Sequence, residues 1–333
     1  MSRLSRVLGA LIALGVVTSI AVGGCHPTAE ERVGPGAHAL SRRAAAKVLS
    51  SYAARAQELA LPRDAGRIAG VQSGPMASIT SGRLKINGFF DGNRASAARP
   101  GPYAHASFWI PDHPGAVPWF VASASRTGAA GRDLVLFARK STHAAYTAEY
   151  LVNVPADANL PKVRGGGEQV NTIDPADGHL AVRPDALATA HAAIEQYGPS
   201  TAAAASFEPS VWTTAVHTTM TDDSRTARAA GFAYLRTYHD SGFPVYGLRT
   251  ADGGALVWYA VTDELSVSQR DPSIARAPLK LTRSLAGVVG VRKVRRQFQA
   301  VSVRQYLAYV PPRGRGKVRV LASAGGPVGG VGR

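Results

Sequence analysis

Closely spaced strand segments constrain the fold of this 333-residue chain more than any other feature. Four short segments between residues 103 and 154 are rich in aromatic and β-branched side chains, and clusters of Pro, Gly and polar residues separate them. They are Tyr103–Ile110, Trp119–Arg126, Arg132–Arg139 and Ala145–Val154. A crossover between parallel strands needs about a dozen residues or more, so this spacing predicts an antiparallel meander.

Helices precede strands in both halves of the chain. In the first half, residues 41–59 place apolar side chains on one face, Ser41 can cap the helix and Pro62 stops it. In the second half we predict one helix over Pro184–Tyr197 and another that starts at Ser210. The strands predicted after them are Phe232–His239, Val245–Arg249, Ala255–Thr262 and a last hairpin of Val294–Val310 with Lys317–Ala324.

This repeated order predicts an α+β fold with two tandem domains, in which helices cover one face of an antiparallel sheet. We place the N-terminal domain at residues 41–158, the C-terminal domain at residues 175–324, and a flexible, glycine-rich tail at residues 325–333. The layout resembles the cystatin-like and NTF2-like folds. That resemblance is architectural and implies no particular function, since these folds host enzymes and binding modules alike.

The first 24 residues are typical of an export signal. Arg3 and Arg6 precede residues 7–22, an apolar run that only small residues interrupt. The run is shorter than the roughly 20 apolar residues that a membrane-spanning helix needs. We therefore predict a signal peptide at residues 1–24 and a tether at residues 25–40, which mix Pro, Gly and charged side chains.

The single cysteine of the chain, Cys25, follows this signal directly. The residues Val22, Gly23, Gly24 and Cys25 resemble the lipobox of bacterial lipoproteins, which implies cleavage before Cys25 and diacylglycerol on its thiol. Acyl chains such as palmitate would then anchor the protein on the extracellular face of the membrane. The alternative is an ordinary secretory signal followed by a cysteine that has no role in anchoring.

Further segments carry motifs of one helix, several strands and a turn. They are AKVLSSYAARAQELA, WFVASA, DLVLFAR and YGLRTADGGAL. Together with the lipobox, they resemble the corresponding segments of uncharacterised actinobacterial secreted lipoproteins over most of the chain. The resemblance implies an exported, acylated protein of unknown function and supplies no catalytic residue.

Known sequence templates for catalysis and for metal or phosphate binding are absent: the chain has no GxSxG, SxxK, HExxH or Walker loop. We therefore predict no cofactor and no metal. One polar cluster supports an alternative interpretation, an enzyme with an acid-base pair in an NTF2-like pocket. Its candidate bases are His217 and His239, and the carboxylates that would orient them are Asp222, Asp223 and Asp240. The competing interpretation is that Thr221–Asp223 only ends a helix.

Positive charge is concentrated near the C-terminus. Residues 276–333 hold 13 Lys and Arg and no acid, although the whole chain has 38 basic and 22 acidic side chains. The densest group is Arg292, Lys293, Arg295 and Arg296. Outside a membrane the abundant polyanions are anionic lipids and wall polymers, so we predict contact with these and not with nucleic acid. The alternative is that these side chains are solvated residues of strand faces.

These features predict a lipid-anchored envelope protein that acts as a binding or interaction module and not as an enzyme. The membrane is its expected partner, through Cys25, and the sequence does not identify a protein partner. A structural part of a larger envelope complex would instead expose a broad apolar patch.

Overall fold

Two antiparallel sheets, each preceded by helices, make up the architecture of the computed structural model. It describes residues 40–59, 62–92, 101–112, 118–141, 143–166, 169–271, 273 and 277–333. The predicted signal peptide, the lipobox residues Val22, Gly23, Gly24 and Cys25, and the tether up to residue 39 lie outside the described residues. None of the helices in the described part is long and apolar enough to cross a bilayer.

The described residues contain helices in both halves and strands of very different lengths. The α-helices are α1 (Arg42–Gln57), α2 (Gly74–Asp91), α3 (Leu187–Tyr197), α4 (Thr214–Ala229) and α5 (Arg283–Val289). The 3₁₀ segments are Pro62–Gly70, Pro184–Ala186, Gly198–Ser200 and Ala202–Ser206. The strands are β1 (Tyr103–Pro111), β2 (Trp119–Arg126), β3 (Arg132–Ala138), β4 (Thr147–Val154), β5 (Gly165–Gly166), β6 (Gln169–Val170), β7 (Phe232–Asp240), β8 (Tyr246–Arg249), β9 (Ala255–Gln269), β10 (Leu279–Lys280), β11 (Lys293–Val294), β12 (Gln297–Val310) and β13 (Arg319–Gly332).

Each large sheet is an antiparallel meander. Sheet 1 has the antiparallel strand order β4-β3-β2-β1, and two short strands extend it beyond β1: β6, which is parallel to β1, and β5, which is antiparallel to β6. Sheet 2 has the order β13-β12-β9-β7, with β8 also paired to β9. Strands β10 and β11 form a separate two-stranded ribbon. Helices α1 and α2 precede sheet 1, and α3 and α4 precede sheet 2, so the predicted α+β class is confirmed.

Alternation of side chains along the strands separates four layers. In β9, Leu256, Trp258 and Ala260 point into a cluster that both sheets share. The intervening residues Val257 and Tyr259 pack instead in the cluster beneath α3. Sheet 1 likewise packs its other face against α1 and α2. Because successive strand residues face opposite sides, the order of layers is helices, sheet 1, sheet 2 and helices.

The layer between the sheets joins the two halves of the described chain. Its buried side chains come from both sheets, and the halves lie within one compact unit that runs from His38 to Arg333. The division into two domains at residues 41–158 and 175–324, and the likeness to cystatin-like and NTF2-like folds, stay predictions.

Gln305 of β12 forms hydrogen bonds with the edge strand of sheet 1. Its buried side-chain Oε1 accepts from the backbone N–H of Leu151 in β4 at 3.0 Å, and its Nε2 donates to the Leu151 carbonyl at 2.7 Å. The amide therefore pairs with β4 much as a neighbouring strand would. This contact satisfies two backbone groups that would otherwise be left without partners at a covered edge.

Several predicted elements agree closely with the structure. Strand β2 has the predicted bounds, and α1 begins after Ser41, whose side chain accepts a hydrogen bond from the Ala44 N–H at 3.2 Å. Strands β1, β3, β4, β7 and β8 differ from their predicted bounds by one or two residues. A turn at residues 251–254 joins β8 and β9.

Three expectations need correction. Helix α2 lies between residues 62 and 102, where the sequence analysis placed no element. Thr221–Asp223 lies in the middle of α4 and does not end it, because the helix continues to Ala229. Residues 325–332, expected to be part of a flexible tail, are paired with residues 298–304 of β12 and complete β13.

Candidate functional site

A belt of charged side chains crosses the outer face of sheet 2. Arg236 of β7, Asp263 of β9 and Arg304 of β12 lie on adjacent strands of this face, and Glu195 reaches it from α3. We call these four residues the charged belt. It separates the apolar cluster beneath α3 from a second apolar cluster that includes residues of α5. A charged side chain is rarely buried without partners, so the contacts within the belt decide what it can do.

Asp263 is the buried acid at the centre of the charged belt. Its Oδ1 accepts from Nε of Arg236 at 3.1 Å and lies 3.0 Å from Nη2 of the same guanidinium. Its Oδ2 is buried and has no hydrogen-bond partner among the described residues. Nε of Arg304 lies 4.0 Å from Oδ2, too far for a hydrogen bond. One oxygen of this carboxylate therefore remains unsatisfied.

Glu195 is fully buried, and the hydroxyl of Tyr306 donates to its Oε1 at 2.7 Å. Nη1 of Arg304 lies 3.7 Å from the same oxygen, and Oε2 has no partner within the described part of the chain. Burial raises the pKa of the Glu195 carboxyl from 4.5 to about 7, although the nearby Arg304 opposes this shift. Glu195 therefore keeps its proton below about pH 7.

His191 lies one helical turn before Glu195 and is also fully buried. Its Nε2 lies 2.6 Å from the Trp212 carbonyl, which can only accept, so this nitrogen carries the hydrogen. Its Nδ1 then accepts from the hydroxyl of Tyr259 at 2.8 Å. Burial lowers the pKa of the imidazole from 6.5 to about 4, and both ring nitrogens are occupied by protein groups. His191 is therefore a core histidine whose hydrogen-bonding groups the protein itself satisfies.

A cavity of about 420 Å³ opens over the charged belt, between sheet 2, α4, α5 and β10. We call it the belt cavity. Arg236, Asp263 and Arg304 form its charged end together with Tyr234. Its apolar walls are Leu265, Val267, Leu279, Leu281, Leu285 and Phe298. A mostly apolar cleft of this size with a few convergent polar groups is the usual form of a small-molecule site.

Charged groups of both signs line the belt cavity. Arg236 and Arg304 face the carboxylate of Asp263, and Asp223 and Lys280 also line the cavity. Glu195 is uncharged below about pH 7, so three cations then face two carboxylates. His191 is not free to act as a base, because Trp212 and Tyr259 occupy both its nitrogens. Over the described ranges, no group of three or more His, Cys, Asp or Glu side chains could hold a metal ion.

The sequence-predicted acid-base residues have separate partners. His217 of α4 contacts the Gln196 carbonyl through Nδ1 at 3.2 Å. His239 lies at the surface, where its Nε2 is 3.4 Å from the carboxylate of Glu264. The carboxylates also differ in their surroundings: Asp222 pairs with Arg225, Asp223 lines the belt cavity, and Asp240 accepts from the Gly242 N–H.

The basic residues Arg292, Lys293, Arg295 and Arg296 are all exposed, on and around β11. Arg292 stacks over the ring of Phe90 at 4.7 Å from its centroid, and Arg283 approaches the same ring at 4.2 Å. We call these four residues and Arg283 the basic surface. It is next to the belt cavity, because β11 pairs with β10 and Lys280 of β10 lines that cavity.

Comparison with known proteins assigns the chain to a family. The model of a domain of unknown function (DUF8094) matches residues 36–329. The chain belongs to this family. An uncharacterised lipoprotein of Streptomyces avermitilis is 29% identical over 294 residues, which cover 82% of this chain and 81% of that protein. For an uncharacterised lipoprotein of Streptomyces coelicolor the identity is 28% over 255 residues, or 74% and 73% of the two chains. No solved structure matches significantly.

These matches confirm the resemblance to uncharacterised actinobacterial lipoproteins.

The sequence of this DUF8094 protein did not lead us to predict the charged belt. Arg304 is one of the basic side chains of residues 276–333, which the sequence analysis treats as a single charged segment. The period of two in β12 places it on the same face as Phe298 and Tyr306, and this signal could have identified it as facing the core. The same alternation in β9 places Asp263 on the face of Tyr259 and Val261, which pack beneath α3. Glu195 shares a helical stripe with His191, but its neighbours come from distant strands.

Proposed function

We propose that this protein is an exported lipoprotein, held on the extracellular face of the membrane by diacylglycerol on Cys25, whose folded part binds a small ligand without transforming it. The names of the two Streptomyces relatives and the lipobox-like residues 22–25 support the anchor. The observation that carries the binding role is the belt cavity. It combines apolar walls with a buried carboxylate oxygen that has no partner in the described part of the chain.

A second proposal concerns the basic surface. Its cations are exposed, and Arg283 and Arg292 flank an aromatic ring. Cations near an anionic surface gain about 1 kcal/mol each, so this surface can hold the folded part against anionic lipid or wall polymer. Contact with such a surface would bring the adjacent belt cavity close to it.

Replacing Cys25 with alanine tests the anchor. We expect the wild-type protein in the membrane fraction of the producing cells and labelled by an alkynyl fatty acid, because a thioether-linked diacylglycerol and a further acyl chain hold a protein firmly. The variant should be unlabelled. Equal labelling of both proteins contradicts the anchor at Cys25.

Charge removal tests the basic surface. Replacing Lys293, Arg295 and Arg296 with glutamine should weaken binding to anionic vesicles by about 3 kcal/mol, roughly two orders of magnitude, and added salt should weaken wild-type binding as well. The matched control replaces Arg43, Lys47 and Arg55 of α1, which are also exposed. An equal loss in both triple variants would mean that total charge, and not this surface, controls binding.

A thermal-shift screen tests the belt cavity. We expect a saturating small ligand to stabilise the wild-type protein by about 2.7 kcal/mol at 100 times its dissociation constant. Replacing Ala230, which lines the cavity, with tryptophan should remove that shift because the indole fills the cavity. Ala229→Trp on the exposed surface of α4 is the matched control. If every shift seen with the wild type persists in Ala230→Trp, the belt cavity is not the ligand site.

A further inference from the structure

The two ends of the belt cavity differ in chemistry. One end has the apolar side chains of β9, β10, β12 and α5, and the other has the guanidinium groups of Arg236 and Arg304. Arg236 is already engaged by Asp263. Arg304 has no such hydrogen bond to a carboxylate: the nearest carboxylate oxygens in the described structure, on Glu195 and Asp263, lie 3.7 and 4.0 Å away, beyond hydrogen-bond distance. Its side chain retains 29% of its accessible surface. Arg304 therefore has donors to offer to a ligand with an anionic oxygen.

Asp263 adds a second requirement. Asp263 lines the cavity, and its Oδ2 is buried and without a hydrogen-bond partner within the described residues. An unsatisfied buried carboxylate oxygen costs free energy that a donor on a bound molecule would recover. A ligand that carried only an anion would leave this oxygen unpaired. A head group with an anionic oxygen beside a hydroxyl satisfies Arg304 and Asp263 together.

The rest of the cavity restricts the remainder of the ligand. Its walls present leucine, valine and phenylalanine side chains, and its volume of about 420 Å³ lies in the lower part of the range of small-molecule sites, roughly 300–1,000 Å³. One hydrocarbon chain suits this space better than two. Lys280 lines the cavity and lies opposite Lys293 of the basic surface in the β10–β11 ribbon. With Arg236 and Arg304 it gives the lining three cations against the carboxylates of Asp223 and Asp263, so the surroundings favour the approach of an anion.

We infer that the belt cavity binds a single-chain amphiphile whose head group carries an anionic oxygen and a neighbouring hydroxyl. The inference deepens the proposed binding function and rests on it. Both a lysophospholipid with a polyol head and a hydroxylated fatty acid have this chemistry. Arg304 binds the anionic oxygen, Asp263 accepts from the hydroxyl, and the chain lies between α5 and the outer face of sheet 2.

Isothermal titration of the fragment His38–Arg333, which forms one compact unit, tests this inference. The probes are myristoyl lysophosphatidylglycerol and α-hydroxymyristate, each below its critical micelle concentration, with dodecyl maltoside as an uncharged amphiphile and glycerol phosphate as a head group without a chain. We expect saturable binding of at least one of the first two probes, and the tighter of them identifies the source of the anion. Both reference probes should bind at least tenfold more weakly.

The variants separate the two ends of the site. Arg304→Gln should lower the affinity for the preferred probe at least tenfold, and Ala230→Trp should abolish its binding. Ala229→Trp should bind the probe as tightly as the wild type does. Ala230→Trp keeps all four belt residues, so it remains informative if loss of Arg304 impairs folding. Binding that Ala230→Trp leaves unchanged would overturn the inference.

The reference probes distinguish the two levels of the proposal. Suppose that dodecyl maltoside binds as tightly as the anionic probes and that Ala230→Trp abolishes its binding. The inferred head group is then wrong, and the proposed binding function stands. If none of the probes binds and the thermal-shift screen is also silent, both are wrong.

Discussion

Replacing Gln305 with leucine is expected to lower the free energy of unfolding by about 2–4 kcal/mol, because two partly buried backbone groups of Leu151 lose their partner. Leucine is similar in size, so the loss reports the hydrogen bonds more than a cavity. Urea unfolding followed by tryptophan fluorescence measures the change.

The matched control for this variant is Gln299→Leu, an exposed position on the same strand. Its effect should stay within about 0.5 kcal/mol, as for most surface substitutions. The structure attaches sheet 2 to the edge of sheet 1 through the Gln305 amide, so an equally small effect of Gln305→Leu would contradict that role.

Glu195→Gln is expected to change how stability depends on pH. Burial raises the pKa of Glu195 to about 7 in the folded chain, whereas its ordinary value is 4.5. Between these values the folded state binds more protons than the unfolded state, so the carboxyl makes the protein less stable as pH rises. Above about pH 7, where the Glu195 carboxyl is ionised, the free energy of unfolding is lower by roughly 3 kcal/mol than at low pH.

His191 acts in the opposite direction. Its pKa falls from 6.5 to about 4 on burial, so the unfolded state takes up the extra proton and stability falls as pH drops from about 6.5 to 4. In the wild type the two groups offset one another over much of this range. The Glu195→Gln variant retains only the histidine, so its stability should rise with pH up to about 6.5 and then stay level.

Urea unfolding at several pH values from 4.5 to 8 measures this difference. We expect the variant and the wild type to be similar near pH 4.5, and the advantage of the variant to grow as pH approaches 7. Glu208→Gln, at an exposed carboxylate, should follow the wild type at every pH. Parallel curves for Glu195→Gln and the wild type would show that Glu195 titrates alike in both states.

The strands of sheet 1 were predictable because their signal is local. Strands β2 and β3 are runs of buried apolar residues bounded by Pro- and Gly-containing clusters, and their bounds agree with the structure almost to the residue. Helix α2 gave no such signal, since GPMASITSGRLKINGFFD mixes glycine, serine and threonine with apolar residues. Its partners are also distant: a Cβ on Gly82 would lie 2.2 Å from the carbonyl oxygen of Pro327, 245 positions later in the sequence.

The pairing of the β13 glycines could not be predicted either, because their partners also come from another strand and not from neighbouring residues. In isolation, glycine-rich residues 325–332 indicate a loose segment. In the folded chain they pair with β12, and α2 can approach the backbone of Pro327 and Val328 because Gly82 has no Cβ. Part of the candidate site could be predicted from the sequence, since strand alternation places Arg304 and Asp263 on core-facing sides of their strands. Their meeting with Glu195 depends on how α3 packs on sheet 2, which no local pattern indicates.

The most direct test of the central claim, that the belt cavity holds a small ligand, is mass spectrometry of the molecules that copurify with the protein from its producing cells. We expect organic extracts of the wild type and of Ala229→Trp to contain a common species in near-stoichiometric amount, and extracts of Ala230→Trp to lack it. Identical extracts from all three proteins would contradict a ligand site in the belt cavity.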